Sequence, residues 1–81
     1  MQVEVKLYGV LRHHRPEDGG LAHHPFIVTL PSEATVAELV THLVLPDGLV
    51  AGVAVNGETA VLHTPLHSQD KISFFPPTAG G

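Results

Sequence analysis

The chain ends in Gly80-Gly81, and the terminal carboxylate on Gly81 is its strongest candidate for a reacting group. After Lys71 no ionisable side chain intervenes, because the sequence runs Ile72-Ser73-Phe74-Phe75-Pro76-Pro77-Thr78-Ala79-Gly80-Gly81. A carboxylate carried on small residues can enter a narrow channel, and glycine lets the channel walls approach the backbone closely. Pro76-Pro77 favours an extended course and restricts the unbound segment. From Pro76 the end can reach roughly 20 Å at ~3.3 Å per residue, enough to enter a partner's buried site. Such an end suits acyl activation by a partner enzyme.

The other reactive side chains form weaker patterns. Seven histidines include the pairs His13-His14 and His23-His24, which could supply imidazole ligands to zinc, nickel or copper. Adjacent side chains project in different directions, and no cysteine or spaced carboxylate completes a ligand set. Glu17 and Asp18 read as a solvated turn, since an acid/base pair needs two carboxylates in different environments. Gly19-Gly20 does not follow a strand and open a helix, as a phosphate loop would. His42, His63 and His67 belong to no nucleophile motif. No metal site and no bound cofactor are expected.

Positioning the end requires a folded body. Val3, Val5 and Leu7 alternate with polar neighbours, which predicts a strand with one face in the core. Gly9 to Leu11 extends or ends it, and 12–25 reads as an exposed polar loop. Phe26 to Leu30 is a second strand closed by Pro31. Thr35 and Glu38 form a capping box, and Val36, Leu39, Val40 and Leu43 give the following helix one apolar stripe. Pro46-Asp47-Gly48 stops it. A third strand is expected over 49–55, a tight turn at Asn56-Gly57, a return strand over 59–62, and a last strand over 70–75. One helix can cover only one face of this sheet. The order suggests an α+β, β-grasp arrangement, with a mixed sheet and neighbouring first and last strands. A body over 1–75 and a tail over 76–81 follow. Tyr8 and Phe75 should then project from the uncovered face, where exposed aromatic residues tend to mark a binding surface.

Composition narrows the partners. With 81 residues, 43% of them hydrophobic, the chain can build one small core. Four basic residues and a formal net charge of -4 argue against nucleic acid. The absence of cysteine excludes disulfides and thiolate chemistry. The start lacks an apolar signal-peptide core, and no apolar run approaches membrane-spanning length, so a cytoplasmic protein without membrane contact is expected.

The segment Phe74-Phe75-Pro76-Pro77-Thr78-Ala79-Gly80-Gly81 resembles the tail of the small subunits of molybdopterin synthase, ubiquitin-like sulfur carriers of the MoaD/ThiS type. Val55-Asn56-Gly57, Pro65-Leu66 and Asp70 fall at similar spacings, and Lys6-Leu7-Tyr8 to Arg12 is similar to the family's first strand. The match covers most of the chain and is weakest from His13 to His24. Gln69 departs from it, since the family usually has glycine before the aspartate, where it helps a tight turn; Ala79 occupies a variable slot. The resemblance implies that an ATP-using adenylyltransferase/sulfurtransferase, similar to ubiquitin-activating enzymes, adenylates Gly81. A persulfide donor then converts it to a thiocarboxylate. The tail, with Gly80 giving access and Tyr8, Phe75, Pro76 and Pro77 at the interface, would insert into the large synthase subunit and pass sulfur to a cyclic pterin. The carrier itself would not be an enzyme. Sulfur carriage for thiamine, cysteine or tRNA thiolation remains open, as does conjugation to protein lysines through Gly81, and a metal-binding module built on the His pairs is a third alternative.

Zinc titration by calorimetry at neutral pH is expected to show weak or no binding, because a polar loop lacks the ligand count and geometry zinc requires. Tight stoichiometric binding that raises the melting temperature would instead assign the His pairs to a metal module.

Overall fold

The structure, a computed structural model, describes residues 1–14, 24–46 and 48–77. Pro16, Glu17, Asp18, Gly19, Gly20 and His23 of the polar loop lie outside the described residues. So do Asp47 of the helix stop and Thr78, Ala79, Gly80 and Gly81 of the tail.

The described strands are β1 (Gln2–Leu7), β2 (Phe26–Thr29), β3 (Gly52–Val55), β4 (Glu58–Ala60) and β5 (Lys71–Phe75), with one α-helix, α1 (Val36–Leu43). They form a five-stranded sheet in the order β2-β1-β5-β3-β4. β1 runs parallel to β5, and the other neighbouring pairs are antiparallel. Val5 is the Cα partner of Ile72 and Leu7 of Phe74; across β5, Phe74 faces Val53 and Ile72 faces Val55. The expected period of two therefore becomes rows of apolar side chains on one face. Val3, Val5, Leu7, Val28, Val53, Ile72 and Phe74 are buried there with Val36, Leu39 and Leu43 of α1. Val40 is half-buried at the edge of this cluster.

The ends of α1 explain where the return strand and the helix stop. Its first N–H groups have no partners within the helix. Glu38 N–H donates to Thr35 Oγ1 at 3.4 Å, and Thr35 N–H donates to Glu38 Oε1 at 3.2 Å, completing the capping box. Val36 N–H donates to Thr64 O at 3.0 Å, and Ala37 N–H to Leu62 O at 2.8 Å. The chain beyond Ala60 thus serves the helix N-terminus, so the return strand covers 58–60 rather than 59–62. Val61 N–H turns to Thr64 Oγ1 at 3.0 Å instead of continuing a ladder. At the other end, Val44 N–H reaches Thr41 O and Leu45 N–H reaches Val40 O, each at 3.1 Å. This is Schellman geometry with Val44 at φ 55°, where glycine is usual. The helix stops before Pro46, and Leu45 returns to the core.

The first connection also differs from expectation. Gly9–His14 is a 3-10 helix, and Leu11 within it is fully buried. Val10 and Leu11 are adjacent and only Leu11 is buried, so the turn carries no period that marks it in the sequence. The third strand begins at Gly52, not at 49, because Leu49 N–H closes a turn onto Pro46 O at 3.2 Å.

The turn before β5 contains Gln69 at φ 74°, in the left-handed region that a side chain enters at a cost. Its N–H still donates to Gln2 O at 2.7 Å. Replacing Gln69 with glycine is expected to raise stability by ~0.5–1 kcal/mol, the relieved backbone strain less the entropy that glycine adds to the unfolded chain. Chemical denaturation checks this; an unchanged or lowered midpoint would show that Gln69 is not strained there.

Candidate functional site

β5 lies between β1 and β3, and its backbone is hydrogen-bonded towards both neighbours. Tyr8 N–H donates to Phe74 O at 3.1 Å, and Ala51 N–H donates to Phe75 O at 2.8 Å. Pro76 and Pro77 have no N–H, so neither can extend the ladder. The segment that leads to Gly80 and Gly81 therefore leaves from the middle of the sheet, not from an edge strand. Pro76 is half-buried and lies against Gly9, while Pro77 is exposed.

Tyr8 and Phe75 stack at this exit, with ring centroids 4.8 Å apart and planes inclined by 24°. They remain 36% and 38% exposed, on the face that α1 leaves open. Lys6 Nζ lies 5.0 Å from the Tyr8 ring centroid, in cation–π range. The neighbouring positions keep the stack uncovered. Gly52 is the Cα partner of Phe75, and the next outward row holds Lys6, Ser73, Ala54 and Thr59. Such an arrangement can bind an apolar surface with a polar border.

Asp70, at the entry to β5, is buried and accepts from Asn56 Nδ2 and from His67 N–H, both at 2.8 Å. Asn56 Oδ1 in turn accepts from Lys71 N–H at 2.9 Å. Asn56 and Gly57, at φ 53° and 87°, make the expected tight turn between β3 and β4. The Asn56 side chain thus joins that turn to the start of the terminal strand.

Among the described residues, no group of three or more His, Asp or Glu side chains comes together as a metal site. No described helix is long and apolar enough to cross a membrane.

The family model of the ThiS family matches residues 6–81. The chain belongs to the ThiS family. No curated protein matches it in sequence. Among solved structures it is similar to SAMP1 from Haloferax volcanii, at 24% identity and TM-score 0.76 over 100% of both chains. It is also similar to a putative molybdopterin converting factor subunit 1 from Pyrococcus furiosus, at 21% identity and TM-score 0.70, covering 95% of this chain and 98% of that one. A third similarity is to the complex of subunits 1 and 2 of the molybdopterin-converting factor from Helicobacter pylori 26695, at 29% identity and TM-score 0.62 over 100% of both chains. The mixed sheet with a helix on one face is thus the ubiquitin-like β-grasp fold expected from the sequence.

Tyr8 and Phe75 come together in the structure, with Pro76 and Pro77 following Phe75 in the chain, while Gly80 and Gly81 lie outside the described residues. Sequence reasoning missed Lys6, Gly9 and Gly52. Lys6 precedes Tyr8 by two positions in a strand, so a shared face could have flagged it. The contact between Gly9 and Pro76 joins distant parts of the chain and has no local signature.

The chain contains one tyrosine and no tryptophan, so its near-UV tyrosine signal reports Tyr8 alone. Phe75→Ala is expected to change the tyrosine circular dichroism band while leaving the far-UV spectrum intact, with a stability loss of ~1–2 kcal/mol from the lost stacking and partial burial. Global unfolding of the variant would place Phe75 in the core instead.

Proposed function

We propose that this chain is a sulfur carrier and acts as the small subunit of a molybdopterin synthase, with residues 1–75 as its body and 76–81 as its reactive tail. The observation that carries this function is the exposed Tyr8–Phe75 stack at the point where the terminal segment leaves the sheet. A partner that grips the stack meets the tail at its root. Membership of the ThiS family and the similarity to subunit 1 of a two-subunit converting factor support it.

The chemistry belongs to the terminal carboxylate and to the partners. A Gly81 carboxylate oxygen attacks the α-phosphorus of ATP in an activating enzyme, and pyrophosphate leaves. The terminal sulfur of a persulfide then attacks the acyl carbon, and AMP leaves. A thiol cleaves the resulting sulfur–sulfur bond, so that a thiocarboxylate remains on Gly81. In the large synthase subunit this sulfur attacks a carbon of a cyclic pterin and displaces an oxygen there, and water then cleaves the acyl–sulfur bond, leaving the sulfur on the pterin and the carboxylate on Gly81. The chain supplies no acid or base to these steps; it delivers the acyl group. Lacking cysteine, it cannot capture its own activated end as an internal thioester.

A second function, protein modification through Gly81, is favoured by the similarity to the small archaeal modifier protein 1 of Haloferax volcanii. Its first step is the same adenylation. Loss of molybdoenzyme activity in cells lacking the chain supports sulfur carriage, whereas loss of a ladder of conjugates supports modification.

Deleting Gly81, or adding one residue after it, is expected to abolish thiocarboxylate formation with the fold intact. One residue displaces the acyl carbon by ~3.3 Å, beyond in-line reach of the bound nucleotide. Gly80→Val should impair activation through its stiff, branched side chain. Mass spectrometry after incubation with activating enzyme, ATP and a sulfur donor reads the exchange of one oxygen for sulfur. Normal sulfuration of an extended chain, without prior processing, would rule out the proposed function.

A further inference from the structure

Gly9 follows β1 after one residue, Tyr8, with φ 57°, and a Cβ added to it would lie 2.6 Å from Pro76 Cγ and 3.4 Å from Pro76 Cδ. A real Cβ does not approach a carbon that closely, so the backbone and the ring would have to separate. Neither side is free to yield. Tyr8, before Gly9, donates its N–H to Phe74 O at 3.1 Å. Leu11, after it, is fully buried and donates its own N–H to Tyr8 O at 3.1 Å. Arg12 Nε donates to Gly9 O at 3.0 Å. Pro76 follows Phe75, whose carbonyl is held by Ala51 N–H at 2.8 Å, and its ring restricts its own φ.

We propose that Gly9 is a positioning residue: its bare α-carbon seats the Pro76 ring, and that seat sets the direction in which the C-terminal segment leaves the sheet. This deepens the carrier function proposed above and rests on it. Proline at this point ends the ladder, so residue 76 has no N–H to donate at the root of the tail. Packing on Gly9 takes that role. An activating enzyme that grips the sheet then meets Pro76 already placed, so less of the root must be ordered on binding. A tail displaced at its root must be redirected on binding, which raises KM more than it lowers kcat.

The test uses Gly9→Ala, Pro76→Ala and the double variant, with Gly48→Ala as a control. Gly48 has φ 86°, and a Cβ there would meet nothing within 4 Å, so its substitution carries the backbone strain without the collision. Melting temperature reads the contact without any enzyme. Gly9→Ala should lower it more than Gly48→Ala, and adding Pro76→Ala to Gly9→Ala should restore part of the loss. Pyrophosphate exchange with the activating enzyme reads the positioning. Gly9→Ala should raise KM for the carrier at least fivefold with kcat changed less than twofold, Gly48→Ala should leave both unchanged, and the double variant should be no worse than Pro76→Ala alone. Equal effects of Pro76→Ala on melting in both backgrounds would overturn the seat. A normal KM for folded Gly9→Ala, or single effects that multiply in the double variant, would overturn the positioning role while leaving the carrier function standing. Failure of the unaltered chain to support exchange would overturn the carrier function itself, and the positioning role with it.

Discussion

The parallel pairing of β1 with β5 is the constraint on which the rest of the structure depends. It places the last strand in the middle of the sheet, hydrogen-bonded towards β1 on one side and β3 on the other. A central strand needs both faces accounted for. Ile72 and Phe74 fill the core beneath α1, while Ser73 and Phe75 line the open face. Because β1 runs in the same direction, its own end arrives beside the end of β5, and Tyr8 meets Phe75. The aromatic stack and the exit of the tail are thus two results of one strand pairing. The parallel connection is long in sequence, so the chain must close it before the central contacts form.

The helix shows how little of this body is spare. Its eight residues are held by groups outside it, because an isolated helix of this length is marginal in water. Thr35 and Glu38 secure one part of the first turn, while Thr64 O and Leu62 O accept from Val36 and Ala37. The loop after β4 is therefore shaped by the needs of α1. At the far end, Val44 occupies a left-handed position that costs a β-branched residue ~1–2 kcal/mol. The strain is offset by burial of Leu45 and by the two terminal hydrogen bonds at 3.1 Å.

Much of the fold was legible in the sequence where the pattern was local. The alternation from Val3 to Leu7, the Thr35/Glu38 box and the Asn56-Gly57 turn each have a short-range signature, and each appears in the structure. The outward phase of Tyr8 and Phe75 followed from the same period of two. The departures lie where a distant partner decides the local conformation. Leu11 becomes a core residue through packing that no periodicity announces, and β4 ends early because the helix N-terminus takes the next carbonyls. Lys6 reaches the stack by the ordinary alternation of a strand. Gly9 has no meaning until Pro76 is beside it. Gln69 was legible in a different way: a side chain stands where the family usually has glycine, and the backbone there is left-handed.

The Asn56–Asp70 pair works as the zero mark of a ruler. Two side-chain hydrogen bonds of 2.8 and 2.9 Å join the β3–β4 turn to Asp70 and Lys71. They hold the strand register at its origin, so β5 cannot slide by one residue without breaking them. A slide would also carry Ile72 and Phe74 out of the core, since successive side chains face opposite ways. The distance from Asp70 to the root of the tail is therefore a count of residues along a rigid track. The folded body thus allows no change of length between Asp70 and Pro76.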